Sequence, residues 1–399
     1  MKIERAALAV VTAVLLLGGG ATLGVTPLGP GTAQSLLEAT LWTTAALFAG
    51  TALVWFALAY VVGAGYESPP ATHDGSDVQV RILTIDAEAV VQATVDSLPD
   101  DLDDVHVIAE DAIDVAGAHV HVVPESFECD AVRKGRAIEW ARREFDTDRE
   151  YALYLDEDSL LTKWEGLPDA DVVQLRERPR HTGSVLSYLA DVYRMGVQIE
   201  QRAFARLSIP LFAWGGGIAV RTDLEDAVTW NRETLVEDTA FVWAAAREFD
   251  VDFELAESVC RNEAPPNLTE ILQQRRRWAA GNLDATSLLP VRYRVLTRLR
   301  NYAWALSPVV TLVVVPLSLL GATVVYATLF LAVSVALAAF TGFWYLRGVY
   351  DYDGDDQLPL VLALPLAPLV TVVHSMGTVA GILAPPADFR VTEKAGPDD

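Results

Sequence analysis

The sequence is short of lysine. Lys2, Lys134, Lys163 and Lys394 are its only examples, and Lys plus Arg number 30 against 54 Asp plus Glu, a formal charge of −24. No basic stripe is available to neutralise phosphates, which argues against nucleic acid as a partner. Cysteine is scarcer still, and Cys129 and Cys260 alone build neither a disulfide scaffold nor a zinc cluster. The long apolar runs are almost free of charge, which argues against a divalent-cation transporter, since that needs carboxylates inside its spans. An acidic, lysine-poor surface that stays hydrated points to a salt-rich cytoplasm and an extremely halophilic source.

Apolar length is abundant. Hydrophobic residues make up 52% of the chain, and they gather at its two ends while the acids fill the middle. Residues 6–27 and 39–63 are uncharged runs, each long enough to cross a bilayer core of about 30 Å. Two such runs in succession read as an N-terminal transmembrane hairpin (6–63) rather than a cleaved signal. A polar Pro- and Gly-bearing linker (64–77) follows, then a domain (78–266) that carries most of the charge. Residues 267–302 read as a helix and an interfacial segment, 303–384 as two or three further spans, and 385–399 as a polar tail. Arg292, Arg294, Arg298 and Arg300 cluster just before the apolar residues. By the positive-inside rule they set the central domain on the cytoplasmic side of a multi-pass cell-membrane protein.

Within 78–266, short apolar strands alternate with helical stretches: VQVRILTI, a helix near 88–98, VHVIAE, HVHVV, a helix near 130–144, then YALYL. That order predicts an α/β domain with a mostly parallel sheet and ligands at the carboxyl ends of its strands. Asp86 ends the first strand, and Glu110 and Asp111 end the second. They read either as helix caps and solvated turns or as nucleoside contacts. His119 and His121 stand at strand spacing with no third ligand near them in sequence.

Four stretches carry the candidate chemistry. In YLDEDSLLT, side chains alternate along the strand, so Asp156 and Asp158 share a face while Glu157 does not. Two carboxylates at a strand end suit a divalent metal and, through it, a diphosphate; an acidic loop is the structural alternative. In KGRAIEW, Lys134 and Arg136 open a helix, where a phosphate contact and an ordinary ion pair are both open. In LVEDTAF, Glu237 and Asp238 precede a helical run, as first-turn acids or as a general base. In PPNLTEILQQRRRWAAGN, Asn267 and Glu270 form a capping box with Gly281 as stop. Gln274, Arg277 and Trp278 then share one helix face, which either lies on the membrane or holds a sugar and a phosphate. Between these, WGGGIAV sets three glycines before a strand, as close approach of a ligand or another chain to the backbone requires.

Taken in this order, the stretches resemble the motifs of membrane-embedded, inverting family 2 glycosyltransferases. LDEDS resembles D-x-D, VED resembles T-E-D with Val in place of Thr, and QRRRW fits Q-x-x-R-W. The strings VRILT, VVPESFECDAVRKGRAIEW, LDEDSLLT, VEDTAF and PPNLTEILQQRRRWAAG are similar to egghead-type β-mannosyltransferases over about residues 80–282. The tail DFRVTEK resembles the F-x-V-T-x-K stretch of cellulose and hyaluronan synthases. The chain departs from many members in opening its first strand with LTIDAE rather than P-x-Y-N-E.

The resemblance implies a GT-A fold, a Rossmann-like sheet flanked by transmembrane helices. It implies Mg²⁺ or Mn²⁺ on Asp156 and Asp158, with Asp238 as base beside Glu237. It further implies Asp86, Glu110 or Asp111, Lys134 and Arg136 on the donor, and Gln274, Arg277 and Trp278 between the diphosphate and the acceptor. The partners implied are a nucleotide-sugar (GDP-mannose or a UDP-sugar) and a lipid-linked or membrane-proximal glycan. A processive polysaccharide synthase and a non-catalytic binding partner that retains the fold are the alternatives. The family's tail lies inside, so five spans would require one apolar run to be re-entrant, with 358–384 (bearing Pro365 and Pro368) the natural choice.

Overall fold

The computed structural model describes residues 32–145, 147–320, 324–352 and 357–386. The apolar run 6–27, most of the acidic loop after Tyr352 and the DFRVTEK tail lie outside these residues.

The sheet has eight strands: β1 (Val78–Thr84), β2 (Asp104–Ala109), β3 (His119–Val122), β4 (Tyr151–Asp156), β5 (Leu160–Lys163), β6 (Val172–Arg180), β7 (Ile218–Arg221) and β8 (Phe253–Glu263). Their spatial order is β3-β2-β1-β4-β7-β6-β8-β5. The first four are mutually parallel. β6 also runs parallel to β8, while β7 and β5 pair antiparallel to their neighbours. β1 is buried along its whole length, as a strand covered on both faces must be. Its three polar side chains are satisfied: Arg81 donates to the Tyr154 hydroxyl at 2.6 Å and pairs with Glu225 at 3.1 Å, Gln79 accepts from Arg81, and Thr84 donates to Glu157.

The helices are α1 (Thr32–Ala57), α2 (Glu88–Asp96), α3 (Lys134–Glu144), α4 (Val185–Val197), α5 (Thr222–Val228), α6 (Glu237–Glu248), α7 (Leu268–Ala285), α8 (Val291–Ala305), α9 (Ala327–Tyr350) and α10 (Ala367–Leu383). One apolar layer joins Ile138 and Ala141 of α3 and Phe241 and Trp243 of α6 to one face of the sheet. The other face packs on Val91 and Val95 of α2. Trp243 is fully buried and its indole N–H donates to Pro210 O at 3.0 Å, so the ring contributes roughly 2–3 kcal/mol of apolar burial without stranding a donor.

Four helices among the described residues are long and apolar enough to cross a membrane: Glu38–Val62, Val291–Leu319, Ala327–Tyr350 and Leu364–Leu383. The second begins well before the residue-303 boundary read from sequence. Three of its arginines are held by protein: Arg294 donates to the carbonyls of Thr286, Ser287 and Leu289, Arg298 to the Thr286 hydroxyl, and Arg300 pairs with Glu200. Guanidinium groups satisfied in this way let the helix start inside the basic cluster.

A second correction concerns Gly281, which does not end α7. The helix runs on to Ala285, and Gly281 instead admits Leu235 and Val236, which would stand 2.9–3.0 Å from a Cβ there. Asn267 does cap the helix, its Oδ1 accepting from the Glu270 N–H at 3.0 Å. α7 lies along α10 at close range. A Cβ on Gly377 would sit 2.3 Å from Arg275 Cβ, and one on Gly381 2.5 Å from Arg276 O. This Gly-x-x-x-Gly spacing lets two backbones meet without side chains between them.

Candidate active site

The sheet delivers its acids to one end. β4 terminates in Asp156, and the turn that follows carries Glu157 and Asp158. Alternation does not carry past Asp156, because Glu157 and Asp158 lie in the turn and both are buried. Glu157 turns inward and accepts from the Thr84 hydroxyl at 2.7 Å. Asp158 is buried, with Oδ2 accepting from the Glu263 N–H at 2.7 Å. Asp156 keeps 37% of its side chain exposed, so it is the acid of the three most open to a ligand.

Three further elements converge on Asp156. Arg133, at the left-handed φ of 54°, turns the chain into α3 and so delivers Lys134; such strain recurs at functional sites. Lys134 Nζ stands 2.8 Å from Asp156, 3.5 Å from Glu237 and 3.8 Å from Asp238. Burial alone would lower its affinity for a proton, but the three carboxylates hold the ammonium above its ordinary range. Val236 occupies the N-cap of α6 and no side chain caps that helix. Glu237 and Asp238 turn to Lys134 instead, and the start of α6 is pinned by Thr239 Oγ1, which donates to Ala213 O at 3.0 Å.

Asp238 Oδ1 is buried and accepts no hydrogen bond among the described residues. Burial pushes this carboxyl up to about 7; Lys134 opposes the shift, while Glu237 and Asp156 add to it. A carboxyl poised near neutrality and aimed into a cavity has the properties of a general base.

The glycine loop explains how the acids come so close. A Cβ on Gly215 would meet Asp238 Oδ2 at 2.5 Å and Lys134 Nζ at 2.6 Å. Gly215→Ala is therefore expected to lower activity by about tenfold or more through displacement of either group. The check is a thermal melt beside the rate, and a parental rate would show that the pair has room to move.

α7 supplies the opposite wall. Arg277 has its proton affinity lowered by burial and supported by Glu237, Asp156 and Asp238, the carboxylates it faces. Trp278 is clasped by two guanidinium groups, Arg275 at 4.1 Å and Arg194 at 5.4 Å from the ring centre. Arg194 in turn pairs with buried Glu177 at 3.1 Å, and Arg275 with Asp191. Glu177 also accepts from the Gly216 N–H at 3.0 Å. Burial raises its carboxyl despite Arg194. Glu177 and Arg194 escape sequence reasoning, because in so acidic a domain nothing in their neighbours separates a buried pair from a surface one.

A cavity of about 730 Å³ joins these groups. Asp156, Asp158, Lys134, Arg136, Glu110, Glu237, Asp238, Gln274, Arg277 and Trp278 all line it. Asp86 and Asp111 do not: the chain turns outward after Thr84 and again after Glu110, leaving both side chains exposed. Glu110 is engaged with Arg136 at 2.9 Å, so that pair reaches the cavity as a unit.

Asp156 already draws a cation, the Lys134 ammonium, to its cavity-facing oxygen, and Asp158 adds oxygen donors two residues on. Such hard ligands fit Mg²⁺ or Mn²⁺. A different trio, His73, Asp77 and Glu150, brings ligand atoms within 4.8 Å of one another, but at the opposite end of β4. There His73 Nδ1 lies 3.2 Å from Asp77 and 3.4 Å from Glu150, which also pairs with Arg221, so the group ties the linker to the sheet. His119 and His121 do gain a third histidine, which sequence missed: His106 Nδ1 lies 3.0 Å from His121 Nε2.

Residues 152–346 match the family model described as glycosyl transferase family group 2. The chain is 24% identical to the β-1,4-mannosyltransferase egh of Drosophila melanogaster over 314 residues, 68% of this chain and 66% of the relative. It is 28% identical to the β-1,4-mannosyltransferase bre-3 of Caenorhabditis elegans over 134 residues, 32% of this chain and 30% of that one. A solved mannosyltransferase from Pyrobaculum calidifontis, in complex with GDP-mannose and Mn²⁺, superposes with a TM-score of 0.53 at 14% identity. That match covers 87% of this chain and 99% of the other, and the likeness carries the fold alone. The sheet is thus a GT-A sheet, and motif order, family model and relatives together make the chain similar to the family 2 glycosyltransferases.

Proposed function

We propose that the protein is a membrane-bound, inverting, metal-dependent transferase. It moves a sugar from a nucleotide-sugar, GDP-mannose or a UDP-sugar, to a lipid-linked or membrane-proximal glycan. The catalytic domain lies on the cytoplasmic side of the cell membrane. The observation that carries this reading is the cavity shared by Asp238, whose buried Oδ1 accepts no hydrogen bond among the described residues, and by the Asp156–Lys134 pair.

In this scheme Asp238 accepts the proton of an acceptor hydroxyl as its oxygen forms the new bond to the anomeric carbon. The bond to the diphosphate breaks on the opposite side, so a single displacement inverts that carbon. Lys134 and Arg277 hold the departing diphosphate. Trp278, held by Arg275 and Arg194, lines the side of the cavity that the acceptor would enter. A divalent cation on Asp156 and Asp158 would supply positive charge against the leaving group.

The motif order supports this over a non-catalytic partner, since Asp156, Asp158, Glu237 and Asp238 are all present. Titration of GDP, UDP and their sugars, with Mn²⁺ or with chelator at molar KCl, tests it. Metal-dependent binding of GDP-mannose favours a mannosyl donor, and preference for a UDP-sugar keeps the mechanism with another donor. A folded protein that binds neither sinks the proposal. Trp278→Ala is expected to raise the acceptor KM about tenfold or more with little change in donor KM. Equal loss of both would remove Trp278 from the acceptor side.

A further inference from the structure

The cavity does not end at the carboxylates. It continues past Trp214 and Phe212 into a lobe between the apolar helices, walled by Trp55 of α1, Glu200, and Thr297, Arg300 and Asn301 of α8. Arg300 Nη2 lies 2.9 Å from Glu200, and its guanidinium is stacked 4.0 Å from the centre of the Trp55 ring. Glu200 is almost wholly buried, and burial pushes its carboxyl up to about 7 although Arg300 opposes the shift. The Trp55 indole N–H is buried and has no hydrogen-bond partner among the described residues.

Each of these features needs a reason. A carboxylate buried as deeply as Glu200 is costly to desolvate, and an ion pair with a partly exposed guanidinium returns little of that cost. A buried donor with no acceptor is costly unless something arrives to accept from it. The charge balance says what can arrive. Glu200 already matches Arg300, so an incoming phosphate would face a carboxylate as well as a guanidinium. A neutral, hydroxyl-bearing ring meets no such opposition. Its hydroxyls can donate to Glu200 and accept from Arg300 and Trp55 Nε1, Asn301 can do either, and Phe212 offers an apolar face.

We propose that this lobe is an acceptor subsite for a neutral sugar ring, distinct from the ring whose hydroxyl is glycosylated beside Asp238. The enzyme then elongates a glycan already begun, and an earlier transferase must have attached the first sugar to the carrier. This inference rests on the transferase reading above.

The test uses the full chain in nanodiscs at molar KCl. Dissociation constants are measured for octyl β-maltoside and octyl phosphate as acceptor probes, and for GDP and UDP with Mn²⁺. The maltoside is expected to bind about tenfold more tightly than the phosphate or better. Trp55→Phe, which keeps a ring and removes the N–H, and the neutral pair Glu200→Gln with Arg300→Gln are each expected to weaken it about tenfold. Nucleotide affinity should stay within about twofold. Tighter binding of octyl phosphate, no binding of either probe by a protein that binds nucleotide, or variants that leave the maltoside unaffected would each overturn the subsite. Variants that lose nucleotide together with maltoside would overturn it too. A folded parent that binds no nucleotide would instead overturn the transferase reading itself.

Discussion

Asp238→Asn is expected to lower transfer by roughly 10²–10⁴-fold, the usual contribution of a positioned base, while nucleotide affinity stays near parental. The amide keeps the shape of the side chain and so the packing against Gly215, but it cannot take a proton. The sign of the pH dependence follows from the raised carboxyl. The base works only when ionised, so the parent's kcat/KM should fall about tenfold per unit as pH drops below about 7, and level off above it. In the variant that limb should vanish along with most of the rate. Initial rates between pH 5 and 9 provide the check, and an Asn variant that turns over normally removes Asp238 from the base role.

Asp158 should matter as much, for a different reason. Asp158→Ala is expected to weaken Mn²⁺-dependent nucleotide binding by about 10–100-fold and to bring binding close to its level in chelator. The alanine also strands the Glu263 N–H, which the carboxylate now accepts at 2.7 Å. Asp158→Asn separates the two effects, because its amide oxygen can still accept from Glu263 while the charge is gone. Nucleotide titrations with and without Mn²⁺ decide the matter. If the Asn variant keeps the metal dependence of the parent, Asp158 is a structural acid rather than a metal ligand.

What could be read from the sequence depended on whether the signal was local. Asp156 and Asp158 stand out as acids at the end of an apolar strand, although the strand stops at Asp156 and the turn beyond it buries Glu157 and Asp158 alike. The face shared by Gln274, Arg277 and Trp278 is legible from helical spacing in the same way. Convergence is not. Nothing near Lys134 indicates that its ammonium will meet Asp156, Glu237 and Asp238, which come from two other elements. Asp86 and Asp111 show the opposite error: a strand end is a sound place to expect a ligand contact, but an outward turn beyond each strand removes both from the cavity wall. The Glu200–Arg300 pair joins residues 100 positions apart on segments read as unrelated, and only packing reveals it.

The seat of α7 on Gly377 and Gly381 bears on when the enzyme can first work. The helix that carries Arg277 and Trp278 leans on a helix that the ribosome makes about a hundred residues later, a delay of roughly 5–20 s at ordinary synthesis rates. Until α10 has emerged and come alongside, α7 lacks the surface that fixes its height over Asp156. A nascent chain that has already folded its sheet thus has every candidate acid in hand and no finished site. On the proposed function, activity is expected only once α10 is in place, so a chain lacking it should stay silent toward donor.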